Sequence, residues 1–490
     1  MKKERANVLF IMTDDQGPWA LGAAGNDEIK TPNLDSLSES GVRFDNFFCA
    51  SPVCSPARAS VLTGRIPSQH GVHDWIRGGN VPGEGEGEGG LEPKETTAPK
   101  EYLKGQSGYT DRLAEAGYTC GISGKWHLGD SLRPQKGFSS WYVHQKGGGP
   151  YYGAPMVREG EMIREEKYVT EAITDGGLRF LEEVGKEESP FYLSVHYTAP
   201  HSPWDEDQHP DEYLKIYEDC PFDSIPEEPM HPWQINSAPW GRGERRRELL
   251  QGYFAAVTAM DENVGRLLDK LESLGIREET LIVFMSDNGM NMGHHGIFGK
   301  GNGTFPLNMF DTSVKVPLIM AGPNLPAGET RNQLLSQYDF RPTLLELLGI
   351  EDKVEGPSPP GRSFVPILRG GEGPGRDRVV VFDEYGPVRM IRGESWKYVH
   401  RYPYGPNELY DLEGDPGERN NLLEEEGEEF VRRAEKMRYE LEEWFQSFVN
   451  PEIDGAREAV YGRGQVDFAG TWGEDREKKT HDEDWEYLKE

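Results

Sequence analysis

A chain of 490 residues is too long for one ordinary core and suits a large domain with a smaller companion. Its 53 Lys and Arg against 85 Asp and Glu leave a formal charge of -32, which excludes nucleic acid and anionic membrane surfaces as general partners and makes any anion site a local positive island. The four cysteines, Cys49, Cys54, Cys120 and Cys220, form no CxxC pair and no dense framework, so a disulfide-stapled fold is excluded as well.

Asn7 to Thr13 is continuously apolar at its centre, the pattern of a strand covered on both faces, and it opens into Asp14-Asp15-Gln16-Gly17. It is too short for a membrane span and lacks a cleavage-type segment, so the expected address is cytoplasmic by default, or periplasmic or secreted if a signal was removed. Thr31-Pro32 to Ser40-Gly41 carries helix start and stop signals and leads into a strand near Val42 to Phe48. Cys54 then stands at the mouth of a short helix. The run Gly83 to Gly90 alternates Gly and Glu and is expected to be a mobile loop, because glycine entropy and acid repulsion both oppose regular structure.

Tyr109 to Ala116 reads as a helix, and Tyr118 to Ser123 as a strand that delivers Gly124-Lys125-Trp126-His127-Leu128-Gly129. Phe191 to Tyr197 is another strand, followed by Thr198-Ala199-Pro200-His201. Apolar residues recur at helical spacing from Glu244 to Leu274, and Thr280 to Ser286 is a buried strand ending in Asp287-Asn288-Gly289. Val316 to Ala321 and a helix around Thr343 to Leu348 continue the alternation. The order predicts an α/β fold, a large domain with a mainly parallel central sheet flanked by helices and with ligands at strand ends.

Past the Pro- and Gly-rich stretch Gly356 to Gly375, a strand at Val379 to Phe382, a hairpin over Val388 to Tyr402 and a helix towards Phe448 predict a smaller α+β subdomain. The expected organisation is a catalytic domain over 1–370, the subdomain over 371–450 and a tail over 451–490 that packs on the body through Trp472, Trp485 and Tyr487.

Asp14, Asp15, Asp287 and Asn288 are oxygen donors placed just after two buried strands, and adjacent strand ends would gather them around a hard cation, Ca²⁺ or alternatively Mg²⁺. Each pair alone also reads as a turn or helix cap. Cys54, at a helix start, sits in the field of unpaired backbone N–H groups, which favours an anion nearby, although a lone cysteine is more often a small buried hydrophobe. The combination of Cys54, Pro56, Arg58, Thr63 and Gly64 has a chance probability on the order of one in ten thousand in such a chain.

This segment resembles the C-x-P-x-R signature, followed by T-G, of the type I sulfatases, formylglycine-dependent members of the alkaline-phosphatase-like superfamily. Asp14-Asp15, Gly124 to Gly129, Pro200-His201-Ser202-Pro203 and Asp287-Asn288-Gly289 resemble the family's other motifs, in family order. Trp396-Lys397-Tyr398, Glu408 to Leu412 and Asp415 to Arg419 do so near the C-terminal end. The resemblance implies that Cys54 is oxidised to formylglycine by a formylglycine-generating or other sulfatase-maturing enzyme. It implies metal ligation by Asp14, Asp15, Asp287, Asn288 and the modified Cys54. It also implies an orienting Arg58, sulfate-holding Lys125 and Lys300, and proton-transferring His127 and His201. Lys300 departs from the family spacing, being followed by Gly301 to Asn308 before Phe310-Asp311, and Lys315 is the alternative.

Such equipment suits a sulfate monoester. A cation with Lys125, Lys300 and Arg58 would neutralise the sulfate oxygens. Of the two geminal hydroxyls of an aldehyde hydrate, one attacks sulfur while His201 protonates the departing alcohol. His127 then deprotonates the other, which expels sulfate. His196, His73, Trp75, Arg77 and His295 are candidate substrate contacts, and with His70, Tyr151, Tyr152, Trp204 and His294 they suit a sugar face and a further anionic group. The expected substrate is a sulfated saccharide held in a pocket by an exo-acting enzyme. The rivals are a phosphonate monoester hydrolase or phosphodiesterase of the same superfold, and a non-catalytic anion-binding protein if Cys54 stays a thiol.

Overall fold

All seven residues of Asn7–Thr13 (β1) are buried, and the strand is paired in parallel on both sides at the middle of the main sheet. With both faces covered it has no polar side to present, hence its unbroken apolar run. The computed structural model describes residues 5–82, 98–354, 356–371, 373, 375–383, 388–455 and 464–469. The Gly83 to Gly90 run and the tail aromatics Trp472, Trp485 and Tyr487 lie outside the described residues.

After β1 come Pro32–Glu39 (α1), Val42–Phe44 (β2), Cys54–Thr63 (α2), Tyr109–Glu115 (α3), Thr119–Gly124 (β3), Ser140–His144 (β4), Ala154–Arg158 (β5), Glu161–Glu165 (β6), Val169–Val184 (α4), Phe191–His196 (β7), Gly243–Ser273 (α5), Thr280–Ser286 (β8), Leu318–Ala321 (β9), Glu329–Arg331 (β10) and Phe340–Leu347 (α6). These ten strands stand in the order β10-β2-β9-β8-β1-β7-β3-β4-β5-β6. From β8 through β4 every pair is parallel, whereas β9 and the β5–β6 edge join antiparallel. Val8, Phe10 and Met12 enter one core with α3 and α6, while Leu9 and Ile11 enter the other with α4 and α5. The period of two along β1 thus divides the molecule into its helical layers.

The single strand expected from Val42 to Phe48 is broken. Only β2 joins the main sheet, and Phe47–Phe48 pairs instead with Leu335–Ser336. The β5–β6 edge left little trace in the sequence because β5 contains Pro155 and β6 is polar and largely exposed.

Val379–Asp383 (β11), Val388–Arg392 (β12), Trp396–Arg401 (β13) and Glu408–Asp411 (β14) form an antiparallel meander in chain order. Glu428–Phe448 (α7) buries Ala434, Met437, Leu441 and Phe445 in the same cluster as residues of this sheet, a stripe at helical spacing. Residues 464–469 run past the main domain: the Gln465 N–H donates to Trp75 O at 2.8 Å, and its side-chain Oε1 accepts from the His73 N–H at 2.8 Å. Among the described residues no helix is long and apolar enough to cross a membrane.

Candidate active site

The register pairs Thr13 of β1 with Ser286 of β8, so the next residues, Asp14 and Asp287, leave the sheet side by side. The chain turns at Asp15, whose backbone is left-handed (φ 63°), and its N–H donates to Asp287 Oδ1 at 3.2 Å. One oxygen from each of Asp14, Asp15 and Asp287 lies within 4.8 Å of the others. β3 ends one strand further along, past β7, and delivers Lys125, whose Nζ lies 2.5 Å from Asp14 Oδ2. Lys300 Nζ reaches Asp15 Oδ1 at 2.6 Å, and Asn288 Nδ2 donates to the same oxygen at 2.8 Å.

The α2 helix carries Cys54 into this cluster. Every residue of α2 is buried, and Gly64 closes it in the left-handed conformation (φ 69°) with its N–H on Ser60 O at 2.8 Å, a stop that favours glycine. Cys54 and Arg58 are four residues apart and share a face. Arg58 Nε donates to Asp287 Oδ2 at 2.9 Å and Nη1 to Lys125 O at 3.1 Å.

Several atoms here are buried without a hydrogen-bond partner, among them Asp14 Oδ1, Asn288 Oδ1, Arg58 Nη2 and His127 Nδ1. Leaving one such atom unsatisfied costs about 1–3 kcal/mol, and more when it is charged, so the arrangement is that of a site built for further occupants. The two free oxygens belong to an oxygen-only donor set, which fits a hard divalent cation and argues against zinc.

The electrostatics agree. Burial opposes charge on Asp14 and Asp15, but Lys125 and Lys300 respectively prevail and hold both carboxyls below the usual range. Asp287 goes the other way, raised by burial and by Asp14. Three carboxylates this close do not all stay ionised comfortably without added positive charge. Burial would also discharge Lys300, yet Asp15 and its neighbours keep its ammonium well above the ordinary value. The Cys54 thiol is pushed up by burial, only partly offset by Lys125 and Lys300, so unmodified it is a poor source of thiolate.

Two histidines complete the set. His127 has a left-handed backbone (φ 53°), and its Nε2 lies 2.9 Å from Ile76 O, which assigns the proton to Nε2 and the lone pair to Nδ1. Burial and then Lys125 depress its basicity well below the ordinary value, so it is neutral. His201 Nδ1 lies 2.7 Å from Ser202 O, and its Nε2 faces Asp15 Oδ2 at 3.7 Å.

The chain matches the sulfatase family over residues 6–350 and the C-terminal region of N-sulphoglucosamine sulphohydrolase over residues 293–446. The chain belongs to the sulfatase family. It is 27% identical to an N-acetylglucosamine-6-O-sulfatase of Bacteroides thetaiotaomicron over 94% of this chain and 90% of that protein. It is 30% identical to a Ulvan-active sulfatase of Formosa agariphila over 86% of this chain and 77% of that protein. A solved structure of a protein in complex with its substrate, D-glucosamine-2-N,6-O-disulfate, superposes with a TM-score of 0.76 at 24% identity, covering 93% of this chain and all of that one.

The sulfatase, a sulfuric ester hydrolase, opens its reactive cluster to solvent through a cavity of about 780 Å³. Asp15, Cys54, His127, His201 and Lys300 line it together with Trp75, Arg77 and Trp204. Asp14, Asp287, Asn288, Lys125 and Arg58 lie buried behind that lining, around Cys54. The alternative lysine, Lys315, turns away: it pairs with Asp311 at 3.3 Å and sits over the Phe48 ring at 5.7 Å. A second cavity of about 830 Å³, lined by His70, Arg65, Lys104 and Arg341 among others, contains none of the reactive residues.

Of the five candidate substrate contacts, His295, His196 and His73 are not in the cavity lining, nor are the accompanying His294, Tyr151 and Tyr152. His295 turns inward through a left-handed backbone (φ 56°) and stacks on Phe310 with centroids 3.7 Å apart, and His294 lies against Trp19 at 4.9 Å. His196, at the end of β7, sits beside Arg58, its Nδ1 3.0 Å from Lys125 O; burial and Arg58 push its basicity down to about 3. His73 is buried beside Gln465. Tyr151 works indirectly, its hydroxyl donating to His201 O at 2.8 Å, and Tyr152 is exposed.

Sequence reasoning missed Lys146, Ser202 and the Ile235, Ser237, Ala238, Pro239 wall, all of which line the cavity. For Lys146 a signal existed, since three glycines follow it.

Proposed function

We propose that this sulfatase removes sulfate from a sulfated saccharide by exo action, using a formylglycine made from Cys54 by a sulfatase-maturing enzyme and a Ca²⁺ ion held by Asp14, Asp15, Asp287 and Asn288. The observation that supports the reading best is the cavity lining. In a chain of net charge -32, the described lining carries the cationic Arg77, Lys146 and Lys300 and one carboxylate, Asp15, with Trp75 and Trp204 beside them. Cations suit an anionic ester and flat indoles suit a sugar face. The N-acetylglucosamine-6-O-sulfatase relative and the neighbour bound to D-glucosamine-2-N,6-O-disulfate make a sulfated hexosamine the first substrate to try.

A formylglycine at position 54 would supply, as its hydrate, one hydroxyl to attack sulfur and a second whose deprotonation releases sulfate, and a cation held by Asp14, Asp15, Asp287 and Asn288 would withdraw charge from the sulfate oxygens. The rest falls to the chain's own side chains. Lys125 and Lys300 hold sulfate oxygens and stabilise the charge that develops on them, and Arg58, with Nη2 unpartnered, orients the group at position 54. His201 presents Nε2 to the leaving alcohol and supplies its proton. His127, fixed by its Nε2 contact with Ile76 O, uses the unpartnered Nδ1 as the base.

Parallel rates on N-acetylglucosamine 6-sulfate, 4-nitrophenyl sulfate and bis(4-nitrophenyl) phosphate test the reading. Saccharide turnover is expected to dominate, and a large phosphodiester preference would overturn it. Intact mass of the Cys54 peptide from the native host should show conversion to the aldehyde.

A further inference from the structure

Lys146, Gly147 and Gly148 follow β4 and pass along the cavity wall, and Gly149 comes next in the chain. None of the three glycines has a left-handed backbone, so the chain's conformation does not call for glycine here. Space does. A Cβ on Gly147 would fall 2.1 Å from His127 Cε1 and 2.3 Å from its Nε2, inside the ring's own volume. One on Gly148 would meet His201 Cε1 at 3.3 Å, and one on Gly149 would meet His144 Nε2 at 3.2 Å. Three consecutive missing side chains are thus matched to three imidazoles, and two of those belong to the candidate proton-transfer residues.

The strip is itself held. His144 Nδ1 lies 3.0 Å from Lys146 O, and the Gln145 N–H donates to Pro155 O at 2.8 Å. His127 needs such support, because a left-handed backbone costs a non-glycine residue roughly 1–2 kcal/mol. Its ring has one contact in the plane, Nε2 to Ile76 O, and the Gly147 backbone against its face.

We propose that Gly147 is a positioning residue for the sulfatase reaction, and that the Gly147–Gly149 backbone sets the placement of the base His127 relative to the acid His201 by lying directly on their rings. The proposal rests on the proton-transfer roles given above to His127 and His201. It predicts a gradient. Gly147→Ala must displace the His127 ring, whereas the ring opposite Gly148 or Gly149 need give only by a few tenths of an ångström.

The test uses the full-length, aldehyde-bearing enzyme with N-acetylglucosamine 6-sulfate and 4-nitrophenyl sulfate, together with ¹⁵N NMR of the histidine rings. Gly147→Ala is expected to lower kcat roughly 100-fold with KM within about threefold, while Gly148→Ala and Gly149→Ala lose less than about fivefold. The Nε2–H signature of His127, assigned by its absence in His127→Gln, should shift only in Gly147→Ala. Wild-type kcat in Gly147→Ala overturns the proposal. So do equal losses in all three variants, an unmoved His127 signal, or a drop in melting temperature of more than about 10 °C, which would mark a structural role. If His127→Gln itself keeps wild-type turnover, the base assignment fails and the positioning proposal falls with it. If His127→Gln is inactive while Gly147→Ala is not, only the positioning proposal fails.

Discussion

Two of the buried charge clusters among the described residues differ in what they leave open. Around Cys54, three carboxylates meet Arg58, Lys125 and Lys300, yet Asp14 Oδ1, Asn288 Oδ1 and Arg58 Nη2 have no hydrogen-bond partner. Between the main domain and the C-terminal sheet, Lys397 reaches Asp311 at 3.0 Å and Glu418 at 2.5 Å, Arg392 reaches Asp311 at 3.2 Å, and the Asp311 N–H donates to Glu418 Oε2 at 2.6 Å. Burial opposes charge on Asp311, but Lys397 and Arg392 prevail and hold its carboxyl well below the usual range. The second cluster matches its charges from within: Arg392 Nε and Glu418 Oε1 also lack a hydrogen-bond partner, but Glu418 Oε1 faces the Lys397 ammonium at 2.5 Å, and in that sense the cluster is closed. The first is arranged around groups that it does not itself contain. Buried charge and unpartnered atoms mark both; three carboxylates gathered at one point beside a cavity, with two unpartnered oxygens among their donor set, distinguish the site.

The largest expected effect tests the open cluster. Cys54→Ala should remove turnover by at least about 10⁴-fold while the melting temperature stays within a few degrees, since only a small buried side chain is trimmed. Calorimetry beside turnover assays checks this, and residual activity near wild type would break the comparison at its centre. Next, Asp287→Asn should cost cation occupancy and about 10³-fold in kcat, read by metal analysis of the dialysed protein. Unchanged occupancy would mean that the free oxygens serve something else.

The closed cluster should respond in the opposite currency. Lys397→Met leaves Asp311 and Glu418 buried with less compensation, which typically destabilises by about 3–5 kcal/mol. The kcat of the fraction that remains folded should change less than about threefold. Denaturation in urea beside kcat determination separates the two readouts. A large kcat loss without lost stability would show that the fastening also acts at the chemistry.

Much of the open cluster was legible because several of its members follow an apolar strand: Asp14 after β1, Lys125 after β3, Asp287 after β8. Periodicity finds such strands, and strand ends in a parallel sheet gather on one side. What sequence alone left open was adjacency. Only the order β8-β1-β7-β3 brings these ends together, and it pairs elements hundreds of residues apart. His295 misled for a related reason, since a polar ring in a loop reads as a ligand contact until the turn that stacks it on Phe310 is seen. The glycine strip was overlooked because Gly-Gly-Gly ordinarily signals a loop, whereas here the missing side chains are the space taken by three imidazoles. In the closed cluster, Lys397 and Glu418 fall in two of the C-terminal motifs, but nothing in the sequence joins them to Asp311, which lies far upstream.

The smallest effect concerns pH and Glu418. Burial, only partly offset by Lys397, raises this carboxyl from 4.5 to about 7. Between those values the folded protein holds the proton more tightly than the unfolded chain does. Stability from this group is therefore greatest below the unfolded value and is lost as pH rises through the folded one, by about 1–3 kcal/mol across the window. Asp311 contributes no slope there, because its carboxyl is held low and is ionised in both states throughout. Glu418→Gln removes the titration while keeping an oxygen that can accept the Asp311 N–H. Other groups titrate in the same range, so the quantity to measure is the difference in unfolding free energy between variant and wild type at pH 5, 6 and 7. That difference should move in favour of the variant as pH rises. A constant difference would mean that Glu418 is ionised throughout and that the closed cluster, like the open one, carries charge it has not balanced.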